Sequence, residues 1–254
     1  MTGRKPPPRQ LRLEWLESRD TPNTYVVTTA ADPSYTSISY STGRIADSGT
    51  YHNQVSLRSA IDAANHTAGA DTIVFSNVTS DPYDFSPPLA ETNFYGSVQT
   101  ITLGSALPTI TDSVAIVGAA PALTVVSAGY GFRAFTVDDS GASAALSVTL
   151  GNMTIDNGYL VGATMAATGY DVVGGAIAFS GGTQTGDTLT IANCDVSHNS
   201  IFAGTTLADG IGGYAYGGAL YATGVAVDIS QSVFSCNYAE GGWDQAVLNF
   251  DNRP

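Results

Sequence analysis

The feature that most constrains the fold of this chain is a short pattern that recurs towards its C-terminal end. Each copy has an apolar residue, a side-chain amide two positions later and another apolar residue three positions after the amide. The copies are Leu150, Asn152 and Ile155; Ile191, Asn193 and Val196; and Ile229, Gln231 and Phe234. A second pattern, Gly-Gly-Ala followed by an aliphatic residue, occurs at 174–177 and 217–220. The two patterns together indicate a structural repeat of roughly 40 residues.

A unit of this length is too short to bury its own core, so the repeats are expected to stack around one apolar interior. Aligning the copies predicts columns in which Val148, Leu150 and Ile155 lie over Leu189, Ile191 and Val196, and these over Val227, Ile229 and Phe234. The amides would then lie above one another at a strand bend, where they can hydrogen-bond along the stack.

The turn after each amide motif also carries an asparagine. Asn157, Asn199 and Asn237 are predicted to fall at this turn, because asparagine tolerates a left-handed backbone. A β-sandwich is the other fold that many short strands would permit, but it does not predict amides in register across consecutive repeats. The sequence therefore favours an all-β, right-handed parallel β-helix (solenoid) with a short N-terminal capping helix.

The rest of the chain divides into three regions. Residues 1–22 read as an N-terminal tail or an export-related segment, and residues 23–100 as an N-terminal cap region with one helix near 56–66. Residues 101–254 consist of short alternating apolar runs separated by turn residues, which is typical of β-helix coils. The last repeat shows no capping element, so we expect either a truncated stack or a last segment, 246–254, that folds over its end.

Composition excludes some partners. The chain has 22 acids against 9 bases and a formal net charge of −13, and most of the bases precede residue 60. The repeats should therefore repel nucleic-acid phosphates and anionic lipids. The sequence contains no run of 18 apolar residues, so it predicts no transmembrane segment. Its N-terminus also lacks a conventional signal peptide.

The repeats resemble the right-handed parallel β-helix domains of bacterial surface and secreted proteins, including polymorphic outer membrane protein-like repeats of the pectin lyase-like superfold. The motifs that carry the resemblance are GGAI (174–177), GGAL (217–220) and FSCN (234–237), while VSHN (196–199) departs by having Val196 for Phe. SLRSAIDAAN is similar to the cap that opens many such domains, so the resemblance spans about 55–243. It implies an extracellular or cell-surface location.

A second resemblance concerns RLEWLESRDTP at 12–22. It is similar to a short segment that precedes extracellular domains in some bacterial proteins. The resemblance implies a sorting signal made of Leu13, Glu14, Leu16, Glu17 and Arg19.

Catalytic chemistry finds little support in the residues of the repeats. A polyuronate lyase needs cations to neutralise a substrate carboxylate, and Arg133 is the one basic side chain inside the coils. A glycoside hydrolase needs paired carboxylates, for which Asp138 and Asp139 are the candidates. Adjacent strand residues point to opposite faces, so the two carboxylates could serve one site only if the strand has already turned. The other interpretation of VDDSG is a solvated turn. The Gly-His-Gly and Arg-x-Lys motifs of pectin-cleaving β-helix hydrolases are absent.

Metal, cofactor and disulfide chemistry are not expected. His52, His66 and His198 are not at ligand spacing. The acids on successive repeats, Asp156, Asp195 and Asp228, are out of register, so they leave calcium open without supporting it. Cys194 and Cys236 are also out of register, because the alignment pairs the first with Ser232 and the second with His198; two free thiols are predicted.

The aromatic residues of the polar insertions suggest a different activity. Tyrosines in Gly-rich loops can bind sugars by stacking, although they can equally pack their own loops. The candidates are Tyr159, Tyr170, Tyr214, Tyr216 and Tyr221. We therefore expect an exported or cell-surface module with a structural, adhesive or glycan-binding role, whose partner is a glycan or another surface protein. The alternative is a polysaccharide-degrading enzyme, a hydrolase rather than a lyase.

Overall fold

The computed structural model describes residues 21–81, 89–142, 144–165, 169–183, 185–206 and 211–243. The described chain is mostly β-strand, with one helix, α1 (Leu57–Ala64). In chain order the strands are β1 (Thr24–Val27), β2 (Asp71–Phe75), β3 (Ser80–Asp81), β4 (Leu89–Ala90), β5 (Gln99–Thr102), β6 (Val114–Val117), β7 (Thr124–Ser127), β8 (Phe135–Asp138), β9 (Ser147–Gly151), β10 (Thr154–Asp156), β11 (Tyr159–Val161), β12 (Val172–Val173), β13 (Ile177–Ser180), β14 (Thr188–Ala192), β15 (Asp195–Ser197), β16 (Ser200–Phe202), β17 (Ala215–Tyr216), β18 (Leu220–Thr223), β19 (Ala226–Ser230), β20 (Val233–Ser235) and β21 (Tyr238–Glu240).

The predicted helix near 56–66 is confirmed as α1, within two residues at each end. Ser56 forms its N-terminal cap: its hydroxyl accepts from the Ser59 amide at 3.1 Å, and the Ser59 hydroxyl accepts from the Ser56 amide at 3.0 Å. Two backbone donors that the helix leaves unpaired are thereby satisfied. Leu57 and Ile61 lie one turn apart on the buried face, which joins the helix to the core.

Parallel pairing dominates the sheets. The largest sheet has the order β1-β2-β6-β9-β14-β19, and a second has the order β5-β7-β10-β15-β20, with all of these pairs parallel. Three smaller parallel sheets have the orders β11-β16-β21, β12-β17 and β8-β13-β18. Among the described strands only β3 and β4 pair antiparallel, and Ile38 and Ile45 form an isolated antiparallel bridge. This pairing is not that of the antiparallel β-sandwich.

Two successive sequence repeats contribute strands to the same five sheets in the same order, because β9 to β13 pair one by one with β14 to β18. The predicted apolar columns are confirmed by the observed register. Val148, Leu189 and Val227 form one column, Leu150, Ile191 and Ile229 a second, and Ile155, Val196 and Phe234 a third. Side chains of the first two repeats in these columns are fully buried, whereas Val227 and Ile229, on the edge strand β19, are 41% and 45% exposed.

The amide motif lies at a strand bend, as the sequence predicts. Asn152, Asn193 and Gln231 have φ angles of 55°, 52° and 51°, which is the left-handed region. The Asn193 side-chain N–H donates to the Asn152 side-chain oxygen at 2.9 Å. The two amides therefore bond along the stack.

The left-handed backbone expected at the second asparagine set is confirmed for Asn157 and is wrong for Asn199 and Asn237. Asn157 is left-handed (φ 56°), but the residues in register with it are His198 (φ 57°) and Cys236 (φ 54°). Asn199 and Asn237 come one position later, and Asn199 is completely buried. Asparagine therefore does not mark a single backbone position at this turn, although all three asparagines lie close to it.

The cysteine prediction is confirmed: both thiols are free, with Cys194 buried and Cys236 exposed. Cys194 is in register with Ser232, whose hydroxyl accepts from the Cys194 amide at 3.0 Å. The expected sorting signal and the expected C-terminal segment 246–254 lie outside the described residues. No helix in the described ranges is long and apolar enough to cross a membrane.

Candidate functional site

The outward face of the sheet β11-β16-β21 carries the most prominent cluster of aromatic side chains. Side chains alternate along each strand, and Ile201 at the centre of β16 is fully buried. The flanking positions therefore form two outward rows. One row is Tyr159, Ser200 and Tyr238; the other is Val161, Phe202 and Glu240.

Phe202 connects the two tyrosines of the first row. Its ring centroid lies 5.4 Å from that of Tyr159 and 5.6 Å from that of Tyr238, with a tilt of 47° in both pairs. Because Ser200 between the tyrosines has a small side chain, the Phe202 ring can occupy the space above it. These separations are typical of favourable aromatic pairs. We call these rings the aromatic column.

Glu240 joins the aromatic column to Trp243. The Tyr238 hydroxyl donates to one oxygen of the Glu240 carboxylate at 2.7 Å, and the Trp243 indole N–H donates to the other at 2.9 Å. The hydrogen bond to Glu240, together with its negative charge, raises the pKa of Tyr238, so this hydroxyl keeps its proton and acts as a donor. The hydrogen bond to Glu240 holds the indole nitrogen of Trp243 in place. Trp243 is nevertheless 61% exposed, so it stays open to solvent.

A cavity of about 300 Å³ lies between these side chains, and we call it the groove. Tyr159, Phe202, Glu240 and Trp243 line it, together with Thr164 and Thr205, whose hydroxyls hydrogen-bond each other at 3.0 Å. Apolar ring surface with a few convergent polar groups is the usual composition of a small-molecule site.

Glycines allow the backbone segments beneath the groove to approach closely. A Cβ atom on Gly162 would lie 2.5 Å from the Gly204 nitrogen and 2.5 Å from the Tyr170 carbonyl oxygen. A substituted residue would therefore push these segments apart. The Gly-rich insertions that the sequence shows are thus part of the construction of the groove.

Three of the candidate tyrosines form a second cluster. Tyr214 and Tyr216 have ring centroids 6.0 Å apart at 30°, and Tyr216 and Tyr221 are 6.4 Å apart at 45°. We call this the tyrosine patch. Tyr170 is 56% exposed and its described hydrogen bonds are made by its backbone, to Ala163 and Gly204.

The sequence therefore identified one member of the aromatic column, Tyr159. It missed the other two, Phe202 and Tyr238, and the adjoining Trp243. The signal was present in the repeat. Once Ile155 is aligned with Val196 and Phe234, counting forward places Tyr159 beside Ser200 and Tyr238. Period-2 alternation along β16 then brings Phe202 to the same face.

The structure places Asp138 and Asp139 at the end of a strand, directly before a turn. Asp138 ends β8, and its carboxylate accepts from the Ser140 amide at 2.9 Å. Asp139 is 1% exposed and accepts from the Gly182 amide at 3.1 Å, while its other oxygen is buried without a partner. Each carboxylate accepts from a backbone amide, and neither lines the groove. The expectation of a solvated turn is wrong for Asp139, because this side chain is buried.

The side chain of Arg133 also forms its hydrogen bonds mainly with backbone groups. Its guanidinium donates to the carbonyl oxygen of Gly174 at 2.6 Å, to the Thr136 hydroxyl at 3.3 Å and to the Val173 carbonyl. Burial lowers the pKa of this side chain. Its donors thus stabilise the contact with the next repeat.

Acidic side chains on the β10-β15 face lie near one another without forming a recognisable site. Burial raises the pKa of Asp156, and the neighbouring Asp195 raises it further, while a hydrogen bond from Ser127 and the charge of His198 oppose this. Asp195 is in register with Thr154 rather than with Asp156, as the sequence alignment predicts. Within the described ranges, no three His, Cys, Asp or Glu side chains form a group that could hold a metal ion.

No family model, curated protein or solved structure matches this chain. The functional argument therefore depends on the geometry of the groove.

Proposed function

We propose that this chain is a right-handed parallel β-helix module of a bacterial surface or secreted protein, and that it binds glycans in the groove beside the aromatic column. The β-helix is supported by the parallel register of successive repeats and by the resemblance of the GGAI, GGAL and FSCN motifs. The extracellular location is supported by that resemblance alone.

The observation that carries the binding proposal is the aromatic column with the adjoining Trp243. Sugar rings present C–H groups on their faces and hydroxyls at their edges, so a protein binds them with an aromatic face beside hydrogen-bonding groups. The groove has both: Trp243 is open to solvent, and Glu240, Thr164 and Thr205 surround the same cavity.

The arrangement of Trp243 favours binding over simple packing of a loop. A tryptophan that serves only to pack would bury its ring, whereas this ring is 61% exposed although its N–H is fixed at 2.9 Å to Glu240. A side chain held in one orientation loses little conformational entropy when a ligand arrives. A fixed, open aromatic surface is therefore prepared for a ligand.

The proposal is tested by affinity electrophoresis and calorimetry of the full chain with a panel of soluble polysaccharides and oligosaccharides. We expect retention by at least one glycan and a loss of about tenfold in affinity, about 1.4 kcal/mol, for Trp243→Ala. The matched control is Tyr95→Ala, which removes another exposed aromatic ring outside the groove.

Two outcomes would contradict this function. Absence of retention on every glycan would refute it, as would equal losses in Trp243→Ala and Tyr95→Ala. New reducing ends in the same incubations would favour the enzymatic alternative, and the variants Asp138→Asn and Asp139→Asn would then show whether these paired acids are responsible.

A further inference from the structure

We infer that the groove selects neutral glycans and rejects glycans that carry carboxylate or sulfate groups. The inference rests on the proposed glycan binding and adds the chemical class of the ligand. It follows from the charge of the residues that line the groove and from the hydrogen bonds that those residues already make.

The charged residue lining the groove is an acid. Glu240 contributes a carboxylate, and the other lining side chains are aromatic, aliphatic or hydroxyl-bearing, among the residues that the structure describes. Each oxygen of this carboxylate already accepts one hydrogen bond, from Tyr238 or from Trp243. Since a carboxylate oxygen has further lone pairs, Glu240 can still accept from ligand hydroxyls. An anionic ligand group would be repelled by the negative charge of this carboxylate.

A uronate or sulfate ligand requires cations, which proteins usually supply as Arg or Lys. After residue 70 the sequence contains two, Arg133 and Arg253. Arg133 donates to backbone carbonyls and is not among the lining residues. Arg253 lies outside the described residues. The formal net charge of −13 adds long-range repulsion of any polyanion.

A neutral sugar fits the same groups. Its apolar face can stack on Trp243, and its hydroxyls can donate to Glu240. The hydroxyls of Thr164 and Thr205 bond each other at 3.0 Å, which leaves the pair one free O–H donor and lone pairs on both oxygens for a ligand. The polar groups of the groove thus match hydroxyl chemistry.

The experiment compares a charged hexasaccharide with its uncharged methyl ester and with two neutral hexasaccharides of other sugars. The full chain is titrated calorimetrically with hexagalacturonate, with the methyl ester of the same hexasaccharide, and with the neutral hexasaccharides of glucose and mannose in β-1,4 linkage. We expect at least one neutral ligand to bind and hexagalacturonate to bind at least tenfold more weakly than its ester. Raising the salt concentration should narrow this difference, because salt screens the repulsion.

Glu240→Gln tests the source of the selectivity, because it keeps the size of the side chain and removes its charge. We expect this variant to reduce the preference for the methyl ester over hexagalacturonate by about tenfold, whatever it does to the affinity for each ligand alone. Asp228→Asn is the matched control. It makes the same change in net charge at an exposed position on β19 outside the groove, and should leave the selectivity unchanged.

The outcomes separate the two claims. Binding of hexagalacturonate as tightly as its ester would overturn the selectivity and leave glycan binding intact. Binding of no ligand at all would overturn the proposed function and the selectivity with it. If Glu240→Gln does not fold, the salt dependence in the unaltered chain decides the matter, since a ratio that does not change with salt contradicts a charge-based mechanism.

Discussion

The side-chain amide of Asn199 donates to the side-chain oxygen of Asn237 at 2.9 Å, on the neighbouring repeat. Asn199 is fully buried, and it also donates to the carbonyl oxygens of Ile155 at 3.2 Å and Ser197 at 2.9 Å. Its own oxygen accepts from the Gly158 amide at 2.8 Å. One side chain thus satisfies backbone groups at a turn where the strands have ended, and it joins consecutive repeats.

Asn199→Ala should lower the free energy of unfolding by about 2–4 kcal/mol, because it leaves several buried backbone groups without partners. The measurement is urea-induced unfolding followed by circular dichroism. Asn77→Ala, at an exposed loop position, is the control and should change stability by less than about 0.5 kcal/mol. Equal shifts in the unfolding midpoint would show that the buried amide network adds nothing to stability.

Gly158→Ala should destabilise the chain by about 3 kcal/mol or more, because the added methyl group has no space. A Cβ atom there would collide with the Gly175 carbonyl oxygen and lie 2.8 Å from the Asn199 side-chain oxygen. Gly131→Ala is the matched control, since a Cβ atom on Gly131 meets nothing within 4 Å. Thermal unfolding measures both variants; a Gly158→Ala melting temperature equal to that of Gly131→Ala would contradict the packing described here.

The thiols should react at very different rates with a thiol-specific reagent. Cys236 is exposed, whereas Cys194 is buried, and burial raises the pKa of the Cys194 thiol. We expect one rapid equivalent in the native chain and a second after denaturation, measured by absorbance of the released chromophore. Cys236→Ser should abolish the rapid phase and Cys194→Ser should preserve it; the reverse pattern would mean that the register of this repeat is wrong.

Asp156→Asn should stabilise the chain at neutral pH. Burial raises the pKa of Asp156 above its ordinary value of 3.8, so the folded chain favours the protonated acid. The contribution of Asp156 to the free energy of unfolding is therefore most favourable below pH 3.8, and it is lost as the pH rises through the folded-state pKa. We expect a gain of at most about 0.5 kcal/mol at pH 7, because solvent screens this partly exposed side chain. The gain should vanish near pH 3.

Urea unfolding of Asp156→Asn as a function of pH makes this measurement. Asp228→Asn, which alters an exposed acid on β19, is the control for net charge. A gain that grows as the pH falls would have the opposite sign to the one expected and would refute the assignment of Asp156 as an acid that burial destabilises.

The sequence was sufficient for features that repeat with a fixed spacing. Leu150, Ile191 and Ile229 could be aligned because strands in parallel register place equivalent residues in one column. The capping helix could be located because a helix cap and apolar spacing are local signals, read here at Ser56 and Leu57. The free cysteines followed from the same register.

Contacts between side chains at different register positions could not be predicted in this way. Phe202 leans over Ser200 to meet two tyrosines that are not its neighbours in register, and this depends on the space that a small side chain leaves. Trp243 lies at the groove because its indole N–H donates to Glu240, and the repeat pattern of the sequence does not predict this contact.

The sequence by itself thus determined the apolar columns, the bend at the amide motif and the helix, because hydrophobic periodicity and helix caps are signals that are local or strictly repetitive. Tertiary structure alone decided which asparagines lie inside and which aromatic rings meet, because a shift of one residue turns a side chain from the exterior to the interior. Asn199 shows this directly: its residue type matches Asn157, but its backbone position matches Gly158, and the difference places its amide in the core.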